Sequence, residues 1–186
     1  MILIDETYFK GELSLPNISV SSSDKASSGV ALALQTVGEK DLSIFVDKYV
    51  VDYLIRLTGR ELTDRFLTET AKESPDEIWS NLKKQLLIEI GPYKASPLAN
   101  YVYYWLMRDA RTKTTQAGEA DPKFDNAENV NNNQKMVKAW NDMVNMTCII
   151  NDWYCKNIEA YKEYIGCQTG RNVCSITQHI NTYNLL

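Results

Sequence analysis

SPLANYVYYWLMRDA (Ser96–Ala110), followed by RTKTTQAGEADPKFDNAENVNNN (Arg111–Asn133) and then QKMVKAWNDMVNMTCIINDWY (Gln134–Tyr154), is the stretch that decides the fold. In the first piece Tyr101, Val102, Trp105 and Leu106 fall on one helical face, and Tyr103, Tyr104 and Met107 widen it. A helix apolar around most of its circumference lies at the centre of a fold or between subunits. In the third piece Met136, Val137, Trp140, Met143, Val144, Thr147 and Ile150 keep the helical period. Between the two stands a polar connection far longer than the roughly 2–8 residues that join most helices. The helices on either side are too aromatic to stay unpacked, so both ends of the loop are fixed. The expectation is a projecting tongue.

The same period extends towards the amino end. Leu42, Phe45, Val46, Tyr49, Val50, Tyr53, Leu54 and Leu57 predict a helix from about Glu39 to Thr58, stopped by Gly59. A short amphipathic piece, Glu61–Thr70, brings Leu62, Phe66 and Leu67 to one side. Ser74-Pro75-Asp76-Glu77 reads as a helix start, with a capping serine and proline at the first helical position. Ile78, Trp79, Leu82, Leu86 and Ile90 then form a buried face that Gly91-Pro92 ends. Ser96-Pro97 opens the next helix in the same way. Beyond the loop, Asn132–Tyr164 reads as one long helix or two end to end, stopped at Gly166.

The fold class is therefore mainly α. It is a bundle of about four principal helices with a long loop or β-hairpin inserted between the last two, and strands are confined to the loop and ends. Residues 1–38 read as an extended amino-terminal arm with a short helical turn at Val30–Leu34. Residues 39–166 form the helical domain, with its loop at 111–133, and 167–186 form a docking tail. Tyr8 and Phe9 in the arm, and Ile176, Ile180, Tyr183, Leu185 and Leu186 in the tail, have too little local core to hold them. They read as anchors for a neighbouring subunit.

Composition narrows the function. The chain has 186 residues, 44% hydrophobic and 24% charged, which suits one globular domain. Eleven tyrosines against four phenylalanines suit surfaces half-buried against a partner. A net charge of −4 without a basic stripe argues against nucleic acid as an affinity partner. No apolar run approaches the roughly 20 residues of a membrane helix. The acidic amino end, MILIDETYFKGELS, lacks the basic start of a secretory signal. The expectation is a soluble intracellular product.

Catalytic chemistry finds little support in the residues. The one histidine, His179, lies near the C-terminus, where catalytic geometry is seldom held rigidly. The glycines are scattered and form no phosphate loop. Cys148 and Cys155 on one helix would stand about 10.5 Å apart along the axis, too far for a disulfide. With Cys167 and Cys174 they read as free thiols rather than a zinc site. No catalytic residue, cofactor or metal is expected.

The loop carries the remaining candidate residues. Thr112, Lys113, Thr114 and Thr115 favour extended structure, Ala117-Gly118-Glu119 suits a turn, and Lys123–Asn126 suits the return. Its basic side chains, Arg111, Lys113 and Lys123, face four acidic ones, Glu119, Asp121, Asp125 and Glu128. Such a loop is a surface excursion or a contact element, and composition alone leaves both open.

The run SPLANYVYYWLMRD…TTQAGE…DNAENV…QKMVKAWNDMV, together with FKGELSLPNI, resembles small virion proteins of Bacteroidetes-infecting tailed phages, the crAss-like phages among them. The layout, helices with a long loop between the last two, is similar to the head–tail connector (adaptor) family of tailed phages. That resemblance implies a ring subunit, commonly in twelve-fold rings, that docks on the portal protein and meets other neck or tail ring proteins. DNA would pass through the channel without specific binding, and no membrane is involved. The ring would assemble in the host cytoplasm and reside in the virion, at the tail neck. Carried onto this chain, Thr112–Val130 would be the loop facing the lumen or a neighbour. Pro97–Ala110 and Asn132–Tyr154 would be the helices supporting it. The reading from the residues alone also admits an intracellular scaffold or regulator that binds a protein partner through the same loop.

Overall fold

The computed structural model describes residues 3–15, 29–111, 113–115, 118–120, 132–165 and 170–181, with side chains for 3–15, 42–109, 134–165 and 170–181. The fold is mainly α. Helix α1 spans Gly29–Thr58, α2 Arg60–Thr70 and α3 Glu77–Leu86. A hairpin of β1 (Ile88–Ile90) and β2 (Tyr93–Ala95) precedes α4 (Pro97–Arg111). A second hairpin, β3 (Lys113–Thr115) and β4 (Gly118–Ala120), then leads towards α5 (Asn132–Lys156). Short 3-10 turns occupy Glu6–Tyr8, Gly11–Leu13, Ile158–Tyr164 and Val173–Ile176.

Helix α4 is central, packed between α1 and α5. Its Leu98, Ala99, Tyr101, Val102 and Tyr103 are all buried, which answers the apolar circumference read from its sequence. Ser96 starts it as expected: its Oγ accepts from the Leu98 N–H at 3.1 Å and donates to the Leu86 carbonyl at 2.7 Å. One hydroxyl thus caps α4 and ties it to the end of α3.

Gly59 bends the chain between α1 and α2. Its φ of 89° and ψ of 161° lie in a region nearly reserved for glycine. Around the bend Thr63 Oγ1 donates to the Gly59 carbonyl at 2.8 Å, Thr58 Oγ1 donates to the Leu54 carbonyl at 3.0 Å, and the two hydroxyls meet at 3.1 Å. Buried threonines therefore satisfy themselves across the corner. Trp79 of α3 fills the far end, its ring centre 6.5 Å from Phe66, 5.8 Å from Tyr161 and 5.0 Å from Tyr164.

Several sequence expectations need correcting. Residues 29–38 belong to α1, because the run GVALALQ is rich in strong helix formers. Asp76, not Ser74, occupies the N-cap position of α3, its ψ of 152° keeping it outside the helix that begins at Glu77. That helix ends at Leu86, and Gly91-Pro92 is the turn of a β-hairpin rather than a helix stop. Gly91, with φ 59°, takes the first central position, where a two-residue hairpin of the II′ kind wants a positive φ. Ile90 is consequently exposed instead of buried. Strands are thus not confined to the loop and ends. Helix α5 ends at Lys156, and the chain continues in 3-10 form to Tyr164.

Candidate interaction surfaces

The α4–α5 pair that carries the loop is held by stacked aromatic rings. Tyr104 and Trp140 lie 4.7 Å apart between centres, and Tyr101 and Trp140 lie 6.0 Å apart. Trp105 stacks on Tyr49 of α1 at 5.3 Å with the rings 2° from parallel, and Tyr49 stacks on Phe45 at 5.5 Å. Arg108 sets its guanidinium 5.1 Å from the Trp105 ring centre. This ladder fastens α1, α4 and α5 together near the end where the loop departs. Trp105 and Trp140 are half-buried in it.

Beneath the ladder lies a polar network. Arg56 of α1 grips Asp52 through Nε at 2.8 Å and Nη2 at 3.2 Å, and Tyr101 donates to the same carboxylate at 2.6 Å. Burial alone would raise the Asp52 pKa, but the hydrogen bonds from Arg56 and Tyr101 outweigh it and hold the carboxyl below its ordinary value. Tyr101 is pushed up by burial and by that carboxylate. Deeper still, Tyr53 and Thr147 join hydroxyls at 2.7 Å, and Thr147 passes its proton to the Met143 carbonyl at 2.7 Å. The hydrogen bonds favour the ionised Asp52 carboxylate, and burial drives the Tyr53 and Tyr101 phenols away from ionisation.

The loop residues divide. Lys113, Thr114 and Thr115 form β3, and Glu119 lies in β4, with Thr114 opposite Glu119 and Thr115 opposite Gly118. Gly118 and Glu119 are therefore strand residues rather than the turn, and Gly118–Ala120 is the returning strand; Lys123–Asn126, expected to form the return, lie outside the described residues. Thr112, Asp121, Lys123, Asp125 and Glu128 lie outside the described residues.

The termini are tied to the body. Tyr8 and Phe9 are buried, as are Leu3, Ile4 and Leu15. Asp5 caps the first turn by accepting from the Thr7 N–H at 3.0 Å. Ile176 is fully buried. Tyr8, Phe9 and Ile176 are thus members of this chain's own core, which corrects the expectation that they anchor a neighbour; Tyr183, Leu185 and Leu186 lie outside the described residues.

Sequence reasoning missed how the tail is held. The Asn172 N–H donates to the Arg56 carbonyl at 2.9 Å, and Arg171 Nε donates to the Leu57 carbonyl at 3.0 Å. The tail thereby supplies partners for carbonyls that the end of α1 cannot satisfy within itself. Ser175 Oγ accepts from Arg56 Nη1 at 3.0 Å, linking the tail to the Asp52 network. Along α5, Trp140 Nε1 donates to the Gln178 carbonyl at 2.8 Å, and His179 Nε2 meets Asn145 Oδ1 at 2.9 Å. Side chains reading backbone leave no periodic signature, and none was available to find. His179 is accordingly a partner of an asparagine.

Cys148, Cys155 and Cys174 are exposed free thiols, and Cys167 lies outside the described residues. Among the described residues no helix is long and apolar enough to cross a membrane. An open groove of about 690 Å³ runs between the amino-terminal turns, the β1–β2 hairpin and α5. Within it Lys138 bridges Asp142 at 2.8 Å and Glu12 at 2.5 Å. No protein-family model matches the chain, and neither does any curated protein or solved structure.

Proposed function

We propose that the chain is a structural virion protein, a head–tail connector ring subunit that docks on a phage portal and surrounds the DNA channel. The observation that carries this reading is the rigid base of the loop. Both helices that bear it are locked by the Tyr104–Trp140 and Tyr49–Trp105 stacks, while β3 and β4 begin directly beyond α4. A tongue on a fixed base suits a task of position rather than chemistry. The net charge of −4 suits a channel that lets DNA pass without counterion-release binding. The resemblance to small virion proteins of tailed phages points the same way.

In this reading the 111–133 loop faces the channel or a neighbouring copy, and the ring assembles before joining the portal and other neck proteins. The test is direct: mass photometry and negative-stain microscopy of the full chain with a purified portal ring. The expected result is a ring stacked coaxially on the portal. A chain that stays apart from the portal and instead binds a cellular protein through the loop would favour the scaffold reading.

A further inference from the structure

The β1–β2 hairpin exposes two large apolar side chains at its tip, Ile90 and Tyr93. The antiparallel register sets Ile88 opposite Ala95, Glu89 opposite Lys94 and Ile90 opposite Tyr93. Side chains alternate between faces, so Ile88, Ile90, Tyr93 and Ala95 share one face, while Glu89 and Lys94 share the other. The charged face carries the contact with Tyr8, its Lys94 side chain 29% and its Glu89 side chain 54% exposed. Tyr8 donates its hydroxyl to Glu89 at 2.9 Å, and Lys94 Nζ lies 5.2 Å from the Tyr8 ring centre and 3.5 Å from the Glu89 carboxylate. On the apolar face the tip is turned to solvent, with Ile90 69% and Tyr93 61% exposed, while Ile88 at 38% and the half-buried Ala95 lie closer to the body.

The backbone is open as well. In a two-residue hairpin the pair beside the turn, here Ile90 and Tyr93, exchanges the ladder hydrogen bonds. The next pair, Glu89 and Lys94, therefore turns its N–H and C=O groups outwards, one pair on each edge. Among the described residues no backbone group from another element pairs with those edges. An open strand edge beside an exposed apolar tip is a template for another strand.

We propose that this hairpin is a contact between copies of the chain, made head to tail, with the β1 edge of one copy paired antiparallel to the β2 edge of the next. Charge selects both the occupant and the sense. Pairing β1 with β1 about its centre would set Glu89 against Glu89, and pairing β2 with β2 would set Lys94 against Lys94. Like charges directly opposite are destabilising. Pairing β1 with β2 sets Glu89 against the next copy's Lys94 and Ile90 against its Tyr93, repeating the register already present within the hairpin. Such a contact uses two different edges, so each copy keeps one of each, and association runs on until it closes as a ring or continues as a filament. The contact stands on the hairpin alone and does not depend on the phage assignment.

Sedimentation velocity on the full chain over a concentration series tests it, using Glu89→Lys and Lys94→Glu. Each variant alone places like charges opposite at every junction, and its association is expected to weaken by about tenfold. A one-to-one mixture of the two restores an opposite-charge pair at every junction and is expected to associate like the unmodified chain. Because the mixture holds the same two chains, any loss of fold weighs equally on both samples. Ile90→Thr, which leaves the charges untouched, is also expected to weaken association and keeps the test decisive should the charge variants unfold. An unmodified chain that stays monomeric at the highest concentration reached, a mixture as weak as its components, or unaltered association of Ile90→Thr would each overturn the proposal. Portal binding reports separately: a chain that self-associates through this hairpin yet ignores the portal defeats the phage reading and leaves this one standing.

Discussion

Asn141 holds the backbone of Ile180 from both sides. Its Nδ2 donates to the Ile180 carbonyl at 3.2 Å, and its Oδ1 accepts from the Ile180 N–H at 2.9 Å. One side chain thus imitates the edge of a β-strand and clips an extended segment to a helix. Asn141→Ala is expected to cost about 1–2 kcal/mol, since it removes two hydrogen bonds at a partly buried site. Hydrogen exchange at residues 177–181 should rise sharply, with α5 unchanged. Unaltered protection there would mean that Trp140 and Asn145 suffice to hold the tail.

Trp79 and Trp105 offer a contrast of burial. Trp79 is 1% exposed amid three aromatic rings, whereas Trp105 lies in a half-buried ladder. Trp79→Ala is expected to destabilise by about 3–5 kcal/mol, and Trp105→Ala by clearly less. Urea unfolding of both variants measures the difference. Equal losses would place the mechanical centre of the fold in the ladder.

Gly170 permits the tail to touch α1. With φ at 83°, it occupies backbone space that other residues avoid, and a Cβ there would stand 2.9 Å from Ile55 Cγ2. Gly170→Ala is expected to cost about 1–3 kcal/mol, through strain and the shift the clash demands. A thermal melt at wild-type temperature would show that the tail can move off the helix without loss.

Asp52 makes stability depend on pH in a defined direction. Its folded pKa lies below the ordinary value near 3.9, so the unfolded chain takes up the proton first as pH falls. The contribution is therefore complete above about pH 4 and is lost as pH drops through the lower folded pKa. Asp52→Asn is expected to remove about 1 kcal/mol at neutral pH, a modest figure because the Arg56 and Asp52 side chains are 33% and 37% exposed. Below the folded pKa of Asp52 the two chains should converge in denaturant midpoint; a constant gap across the range would assign the effect to packing.

Replacing Ala117–Asp125 with a short Gly-Ser link should change stability by about 1 kcal/mol or less, because loop closure entropy varies slowly with length. If the loop lines a channel, assembly or DNA retention should nevertheless suffer. Glu119→Lys combined with Asp121→Lys should slow DNA passage in a salt-dependent way through new phosphate contacts. A phage with intact packaging and infectivity after loop replacement would reduce the loop to a surface excursion.

What the sequence disclosed follows from the kind of force involved. Helices α2, α4 and the body of α1 were legible because burial imposes a period on their apolar residues. Ser96 was legible because a cap demands an oxygen at a fixed offset. The β1–β2 hairpin was hidden because Ile90 stands four residues beyond Leu86 and continues a helical stripe on paper. Only Gly91, with its positive φ, and the Ile-Glu-Ile alternation pointed elsewhere. Tyr8 and Ile176 looked stranded because the elements that bury them are distant in sequence. Glu89, for instance, meets Tyr8 across 81 positions.

The tail's grip on α1 has a consequence for the order of synthesis. The carbonyls of Arg56 and Leu57 find their partners in Asn172 and Arg171, and Arg171 leaves the ribosome 114 residues after Leu57. A nascent chain can wind its first long helix early, yet it cannot finish the end of that helix until almost all of the described fold has been translated. Sealing of that helix end is thereby timed by the arrival of Arg171 and Asn172, and a product terminated before them would carry an unsealed helix end.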